Sequence, residues 1–200
     1  MGRVLIVVAG LCVGAIFGGV SALMGAGLLP GPISRAKPVQ IDGWESDWTI
    51  GSEASGPYLR AWVARFGLLA LRKSEAVYFI ADTDSDGEPL SDACTYRVSG
   101  GKIPGFWWSV TLYDADGYLP TNQGRNLSFD ATDVADGESW SFDVAPTKPS
   151  DPEQDWISSE NAGVFDLTLR IYEPDPDFLE APTERLTPPI VQRLTCRGDA

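Results

Sequence analysis

The stretch FWWSVTLYDADGYLPTNQG, residues 106–124, constrains the fold more than any other part of the chain. In its first half, Phe106, Trp108, Val110 and Leu112 alternate with less apolar residues. Side chains of a β-strand point alternately to its two faces, so this period of two predicts a strand with one face in a core. Burial of each of these four side chains contributes about 1.5–3 kcal/mol, so we expect the domain to be built around this strand.

The acidic segment after this strand predicts a tight turn. In Asp114 to Gly117, DADG, an Asp side chain caps its own turn and Gly supplies the residue with positive φ. Tyr118 and Leu119 are therefore expected to begin the return strand of a hairpin.

Trp107 and Tyr113 fall on the less apolar face of the predicted strand. One interpretation makes them a stacking platform for a sugar or a peptide. The other places a helix or loop over this face, with both rings in a second layer of core, because large aromatic side chains are rarely left exposed.

Short strand-like segments continue through the rest of the chain, with Asp, Gly and Pro turns between them. Residues 76–81 are apolar on both faces, as in a central strand, and 93–98, 139–144 and 165–172 alternate, followed by a final segment at 190–196. This pattern predicts a mainly β domain, a jelly-roll-like antiparallel β-sandwich. One amphipathic helix is expected at residues 55–71, packed on a sheet or, as the alternative, lying on a membrane.

Residues 4–29 contain no charged side chain and end at Pro30. As a helix these 26 residues extend roughly 39 Å, which exceeds a hydrocarbon core of about 30 Å. We expect residues 1–29 to be an uncleaved transmembrane anchor, 30–51 a tether and 52–200 the β-sandwich domain. The expected location is the bacterial inner membrane, with a cytoplasmic N-terminus and a periplasmic domain. The alternative is a cleaved signal segment.

Small residues recur every four positions along this apolar segment. Gly10, Gly14, Gly18 and Ala22 are therefore expected to lie on one face of the helix. Such spacing lets two helix backbones approach closely, so self-association or a partner transmembrane helix is one interpretation. The other is that Gly and Ala are simply common in membrane segments.

Charge and composition exclude several classes of function. The chain has 28 acidic and 15 basic residues, a net charge of −13, so a nucleic acid partner is not expected. It contains no histidine, which excludes Ser-His-Asp and Cys-His catalysis and His-ligated zinc. No cofactor is predicted, and no small-molecule ligand can be named from composition.

The segment DTDSDG places Asp82, Asp84 and Asp86 in the spacing of the first half of a calcium loop. The acid expected at the twelfth position is replaced by Ala93. The three carboxylates are weak metal candidates, and an acidic hairpin turn that needs no metal is the preferred interpretation.

Cys94 and Cys196 are the two cysteines outside the apolar segment. In an exported domain they are candidates for a disulfide, the alternative being two free buried thiols. A bond across about 100 residues stabilises by roughly 4–5 kcal/mol in the chain-entropy model.

A polar and aromatic pocket is a further candidate site. Arg170 and Tyr172 share one strand face, and Trp107, Tyr113 and Asp114 are expected on another strand. These five residues are weak binding candidates, since an arginine on a strand is more often exposed or ion-paired.

Two motifs and their order resemble a known family. They are Phe106–Leu119, FWWSVTLYDADGYL, and Phe165–Pro174, FDLTLRIYEP, with a helix-strand entry at 58–79 and a tryptophan segment at 155–157. The chain resembles the family catalogued as domain of unknown function 1214, which implies a jelly-roll-like β-sandwich. That domain often follows a companion, domain of unknown function 1254. Here a membrane segment is expected in its place, as in short bacterial members.

The resemblance implies no reaction, so no catalytic residue is assigned. We expect a binding or envelope-assembly module facing the periplasm. The alternative is a hydrolase or lyase that uses carboxylates, because the chain lacks histidine.

Overall fold

The structure of the chain is a computed structural model. It describes residues 2–25, 29, 38–52, 56, 60, 63, 71–122, 126–134 and 139–198. The predicted amphipathic helix at 55–71 lies almost entirely outside the described residues.

Helix α1 spans Gly2–Gly25. Its side chains are exposed along almost its whole length, and it contains no acidic residue in its first turn. Among the described residues it is the one helix long and apolar enough to cross a membrane. It could therefore anchor the chain in a membrane or act as a signal sequence.

In the part of the chain that the structure describes, ten strands form two sheets. They are β1 (Pro38–Ile41), β2 (Trp44–Asp47), β3 (Ala76–Ala81), β4 (Cys94–Gly100), β5 (Gly105–Asp114), β6 (Ser128–Asp130), β7 (Trp140–Ala145), β8 (Trp156–Ser158), β9 (Phe165–Pro174) and β10 (Ile190–Cys196). The larger sheet has the order β1-β2-β3-β9-β5-β6, and the smaller has the order β10-β4-β7-β8. Short helices α2 (Pro176–Glu180) and α3 (Pro182–Arg185) precede β10. The prediction of a mainly β domain is confirmed.

The inner faces of the two sheets share one hydrophobic core. In the larger sheet it is filled by alternate residues of β3, β5 and β9, among them Phe79, Val110 and Leu169, all fully buried. In the smaller sheet Trp140 stacks on Trp108 with ring centroids 4.4 Å apart. The arrangement is that of a β-sandwich, in which apolar faces are removed from water by packing against each other.

A tight backbone approach supports this packing at Gly100. A Cβ atom at this position would lie 2.4 Å from the indole of Trp140, closer than side chains pack. The indole nitrogen of Trp140 donates a hydrogen bond to the carbonyl of Gly101 at 2.8 Å, so its polar atom is satisfied.

The prediction that Phe106 faces the core is wrong. Its side chain is 81% exposed, whereas Trp108, Val110 and Leu112 on the same strand are buried. In the β5–β9 ladder the residues on either side of Phe106 are paired, and Phe106 itself lies opposite Glu173 without a regular pair. Glu173 is exposed and has a left-handed φ of 43°. The regular ladder is therefore interrupted at this end of the strand, and Phe106 lies outside the packed core.

The return strand predicted at Tyr118 and Leu119 is also wrong. The turn itself forms, with the backbone N–H of Asp114 donating to the carbonyl of Tyr118 at 2.8 Å. Both predicted strand residues are exposed, and β5 pairs instead with β6, which begins at Ser128. The chain therefore does not pair with β5 directly after the turn. Pairing begins at Ser128, nine residues after Leu119.

Two further details differ from the expected organisation. Strand β8 runs parallel to β7, so the smaller sheet is mixed rather than wholly antiparallel. The chain between Ala145 and Trp156 returns to the side where β7 begins, which produces this direction. The predicted tether, 30–51, contains β1 and β2, so part of it belongs to the larger sheet.

Strand β10 closes the smaller sheet at the C-terminal end of the chain. It is joined to β4 by the disulfide Cys94–Cys196, with a sequence separation of 102 residues. Its Arg193 also forms an ion pair with the buried carboxylate of Asp84 at 3.2 Å. The edge strand is thus held by a covalent bond and by a charge pair in addition to its ladder.

Candidate functional site

The outer face of the larger sheet carries mostly polar and aromatic side chains. On β3, β5 and β9 these side chains alternate with those of the core, and Ala76 and Ile80 are the apolar residues among them. The polar and aromatic residues, of which Ser109, Thr111 and Thr168 are buried, are here called the Arg170 face: Tyr78, Trp107, Ser109, Thr111, Tyr113, Asp166, Thr168, Arg170 and Tyr172. The register places Arg170 between Tyr78 on β3 and Ser109 on β5, at the middle of this face.

Arg170 is held by neutral groups. Its Nη1 donates to Oγ1 of Thr111 at 3.1 Å, and its Nη2 donates to the hydroxyl of Tyr113. The guanidinium also lies 5.2 Å from the ring centroid of Tyr113 and 5.9 Å from that of Tyr78, both within cation–π range. In the described part of the chain no carboxylate forms an ion pair with it.

Trp107 and Tyr172 form an aromatic pair next to Arg170. They are directly opposite each other in the β5–β9 ladder, with ring centroids 5.3 Å apart and planes inclined by 55°. Both are half-buried. The predicted stacking platform therefore contains Trp107, but its partner is Tyr172, because Tyr113 lies opposite Asp166.

Asp166 places a carboxyl group with unusual acidity on the same face. It accepts a hydrogen bond from the hydroxyl of Thr168 at 3.0 Å. Burial raises the pKa of the Asp166 carboxyl to about 6, helped by the charges of Asp82 and Asp114, while Thr168 and Arg170 act in the opposite direction. A larger fraction of this carboxyl is therefore protonated near neutral pH than of an ordinary Asp carboxyl.

Burial also keeps the hydroxyl of Tyr78 protonated. It raises the pKa of Tyr78, and nearby Tyr172 adds to the effect while Arg170 opposes it. Tyr78 is thus a neutral phenol, and the fixed positive charge of the face is that of Arg170.

The fifth candidate of the predicted pocket, Asp114, has a structural role. Its Oδ1 accepts hydrogen bonds from the backbone of Asp116 at 3.0 Å and of Tyr118 at 2.8 Å. This carboxylate therefore closes the turn after β5, as Asp does in many turns.

The weak metal candidates also have other partners. Oδ1 of Asp84 accepts from the backbone of Asp86 and of Glu88, each at 3.0 Å, and its Oδ2 faces Arg193. Arg193 also lies 4.0 Å from Asp86, so a guanidinium supplies the positive charge at this turn. No group of three or more acidic or cysteine side chains in the described residues is arranged to hold a metal ion.

Five members of the face were not identified as site candidates from the sequence: Tyr78, Ser109, Thr111, Asp166 and Thr168. A signal exists for four of them, since Ser109, Thr111, Asp166 and Thr168 occupy outward positions of the same alternating strands that contain Tyr113 and Arg170.

Two surface cavities lie elsewhere on the sandwich. One, of about 460 Å³, is lined by charged residues that include Lys102, Asp175 and Arg185. The other, of about 550 Å³, is lined by Ser99, Trp140 and their neighbours. Neither is lined by a residue of the Arg170 face.

One solved structure with a TM-score above 0.5 supports the fold. A protein from Vibrio parahaemolyticus, VPA0106, matches with a TM-score of 0.56 and 18% identity over 71% of this chain. A putative uncharacterized protein from Burkholderia cenocepacia matches with a TM-score of 0.44 and 13% identity over 60% of the chain. The matches cover 36% and 30% of those two proteins, so this chain corresponds to about a third of each.

No curated protein matches the chain. The family model described as protein of unknown function DUF1214 matches residues 75–176. This range includes β3, β5 and β9, and with them every residue of the Arg170 face. It covers half of the chain, from the central strands to the start of α2. The chain therefore belongs to the family of proteins with domain of unknown function 1214.

Proposed function

We propose that this chain is a membrane-anchored binding module whose Arg170 face takes a small anionic ligand. The observation that carries the proposal is the set of partners around Arg170. Its guanidinium is half-buried and contacts two hydroxyls and two aromatic rings, without a carboxylate partner in the described residues. Asp166 interacts with it electrostatically without forming an ion pair, so a carboxylate or phosphate from outside would supply the direct partner.

Other arginines of the sandwich have the opposite arrangement. Arg97 pairs with Asp143 at 2.8 Å, Arg193 with Asp84 at 3.2 Å and Arg197 with Asp92 at 3.4 Å. Arg72 and Arg185 also lack an ion pair in the described residues, but both are exposed to solvent, whereas Arg170 is half-buried. Absence of an acidic partner at a half-buried arginine supports a role in recognising an anion.

The neutral contacts of Arg170 also prepare it for a ligand. Thr111 and Tyr113 use one hydrogen from each of two terminal nitrogens, so the planar guanidinium is oriented while other N–H groups remain for an acceptor. A hydrogen bond to a charged group contributes about 1.5–3 kcal/mol, so the expected affinity for a single carboxylate is modest.

Binding can be tested with the full chain in detergent micelles. Acetate, succinate and inorganic phosphate are titrated, and binding is followed by ligand-observed NMR. Arg170→Gln is expected to weaken binding by at least about tenfold, because one charged contact is lost. Arg170→Lys keeps the charge without the planar fork and is expected to be intermediate.

The matched control is Arg97→Gln, which removes an arginine from the other sheet. It should leave anion binding unchanged, and thermal melts report whether each variant is folded. Equal binding by the wild type and a folded Arg170→Gln variant would contradict the proposal.

The location of the module is a second part of the proposal. We place α1 in the bacterial inner membrane, with its N-terminus in the cytoplasm and the sandwich in the periplasm, where it takes part in binding or envelope assembly. The apolar helix and the disulfide Cys94–Cys196 support this, since disulfides persist in oxidising compartments. Gly10, Gly14 and Gly18 on α1 are proposed to contact a second helix.

Intact mass after thiol alkylation tests this topology. A full-length chain in the membrane fraction, with two additional alkylated thiols only after reduction, is the expected result. Reaction of both thiols without reductant would place the domain in the cytoplasm. Loss of a co-purifying oligomer in the Gly14→Leu, Gly18→Leu double variant would support helix association, and an unchanged oligomer would contradict it.

One observation favours the alternative of a carboxylate-dependent lyase. Asp166 has a pKa of about 6 and shares its face with Arg170, so it can accept a proton from a ligand whose carboxylate Arg170 holds. Incubation of the chain with small carboxylic acids in D₂O would reveal exchange of the hydrogen next to the carboxylate. Exchange that disappears in Asp166→Asn would support an enzyme, and an absence of exchange in the wild type would leave binding as the function.

A further inference from the structure

The aromatic pair Trp107–Tyr172 lies along the same strip of surface as Arg170. Tyr172 is two residues from Arg170 on β9, so their side chains emerge on one face about 7 Å apart. Strand β6 pairs with β5 only from Ser109 to Thr111, so the sheet is narrower at Trp107. The pair thus stands at the end of the Arg170 face, next to its charged centre.

The guanidinium extends away from this pair. Its hydrogen bonds reach Thr111 and Tyr113, which are paired with residues 168 and 166 on β9, on the far side of Arg170 from Tyr172. The positive charge and the aromatic rings are therefore separated by roughly two to four strand residues, about 7–13 Å. A ligand that uses both must carry its anion and its ring at different ends.

Ser109 lies between the aromatic pair and the guanidinium. It is paired with Arg170 across the ladder and stands between Trp107 and Thr111 on β5. Its side chain is buried, as is that of Thr111, so the groups of this strip that a ligand can reach are the aromatic pair and the guanidinium.

We infer that the ligand of this face is a small acidic saccharide, an inference that rests on the proposed anion binding. The apolar C–H face of a sugar ring packs on Trp107 and Tyr172, and the carboxylate meets Arg170. Half-buried Trp and Tyr rings offer such a ligand apolar area with little loss of side-chain entropy.

The charge of the protein limits the size of the ligand. With a net charge of −13, the domain repels a polyanion over the Debye length of about 8 Å at physiological salt. One guanidinium compensates one carboxylate, so a saccharide with a single acidic group fits, whereas a long acidic polysaccharide does not.

Four probes separate the contributions of ring and anion. The full chain in detergent micelles is titrated with glucuronate, which has both, gluconate, which is an acyclic acid, glucose, which has no charge, and phenylacetate, which has an aromatic ring. Glucuronate is expected to have the highest affinity, gluconate an affinity about 2- to 12-fold lower, and glucose the lowest affinity of these three. Phenylacetate that binds more tightly than glucuronate would overturn the saccharide assignment.

Variants then assign the preference to residues. Trp107→Ala is expected to remove most of the difference in affinity between glucuronate and gluconate, because it weakens glucuronate binding much more than gluconate binding. Trp107→Phe keeps a ring and is expected to retain most of this difference in affinity. Trp156→Ala, a half-buried tryptophan of the other sheet, is the matched control and should leave this difference unchanged.

The two proposals fail in different ways. If both acids bind equally well to the wild type and to Trp107→Ala, and Arg170→Gln abolishes both, the face binds anions but the saccharide inference is wrong. If neither acid binds, or Arg170→Gln changes nothing in a folded protein, the anion site itself is wrong.

Discussion

Each sheet of the sandwich has an arginine at the middle of its outer face, and the two arginines have different kinds of partner. On the smaller sheet, Arg97 makes two hydrogen bonds to Asp143, at 2.8 and 3.1 Å, and a third to Gln154 at 3.3 Å. On the larger sheet, the direct contacts of Arg170 with described residues are hydroxyls and aromatic rings. The first charge is neutralised within the fold, and the second has no ion pair in the described residues.

The difference separates a contribution to stability from a contribution to function. Asp143 is almost buried, so its pairing with Arg97 prevents an unpaired charge in the sheet, and the hydrogen bonds raise the pKa of Arg97. Arg170 gains no ion pair, and a half-buried cation without one is costly to keep. Its presence is therefore better explained by ligand binding than by folding.

The largest expected effect concerns the covalent bond that only the smaller sheet contains. Cys94→Ser together with Cys196→Ser removes the constraint on a loop of 102 residues and should lower the free energy of unfolding by about 4 kcal/mol. Urea denaturation monitored by tryptophan fluorescence measures this. Cys12→Ser in α1 is the control, since this thiol is free and exposed, and it should leave the midpoint unchanged. A double variant as stable as the wild type would mean that the disulfide does not stabilise the smaller sheet.

The second prediction sets the two arginines against each other. Arg97→Ala leaves the carboxylate of Asp143 without its ion pair and should cost about 2 kcal/mol, a value moderated by the solvent exposure of the pair. Arg170→Ala removes two hydrogen bonds but also a poorly solvated charge, so its cost without ligand should be below about 1 kcal/mol. Denaturation of both variants in the same buffer gives the comparison, and the reverse order would mean that Arg170 is a structural residue.

The sequence alone predicts which residues share a face but not which strands meet. Alternation places Val110 and Leu112 inside and Tyr113 and Arg170 on outward positions, and the structure agrees. Thr111 and Arg170 are 59 residues apart, however, and their contact depends on the β5–β9 register, which one sequence does not encode in any local pattern.

Errors in the sequence interpretation occur where tertiary context overrides a local pattern. Phe106 continues the apolar alternation of β5, but the ladder is irregular beside Glu173 and the core does not extend that far. Asp114 has the composition of a pocket residue, yet backbone N–H groups use its carboxylate in the turn. The site residues that were found, Trp107 and Arg170 among them, occupy regular strand positions where periodicity is a sufficient guide.

The third prediction uses the acidity of Asp166 on the larger sheet. Its folded pKa, about 6, is above the unfolded value near 3.8, so the folded state holds this proton more tightly. The resulting stability is complete below about pH 4 and is lost as the pH rises to 6 and above. Asp166→Asn, which cannot ionise, should therefore be more stable than the wild type by about 1–2 kcal/mol at pH 8.

Urea denaturation at pH 4, 6 and 8 measures this difference. The difference should be smallest at pH 4, where the carboxyl is almost fully protonated in the folded state and close to half protonated in the unfolded state. Asp143→Asn on the smaller sheet is the contrasting variant. It breaks the ion pair with Arg97 and should destabilise the protein at pH 8 instead of stabilising it. If the stability difference between Asp166→Asn and the wild type does not change with pH, burial does not raise the pKa of this carboxyl.

The smallest effects concern the neutral groups beside the two arginines. Tyr113→Phe removes the hydroxyl that accepts from Arg170 but keeps the ring, and should cost about 0.5–1 kcal/mol in stability. Gln154→Ala removes the long hydrogen bond at 3.3 Å from Arg97, which retains Asp143, and should cost less than about 0.5 kcal/mol. The functional consequence is expected only on the larger sheet. There the loss of one acceptor frees the guanidinium to rotate, so Tyr113→Phe should weaken acetate binding several-fold, whereas Gln154→Ala should leave it unchanged. Equal weakening by both variants would mean that acetate binding does not depend on the orientation of Arg170, and the distinction between the two faces would then rest on charge alone.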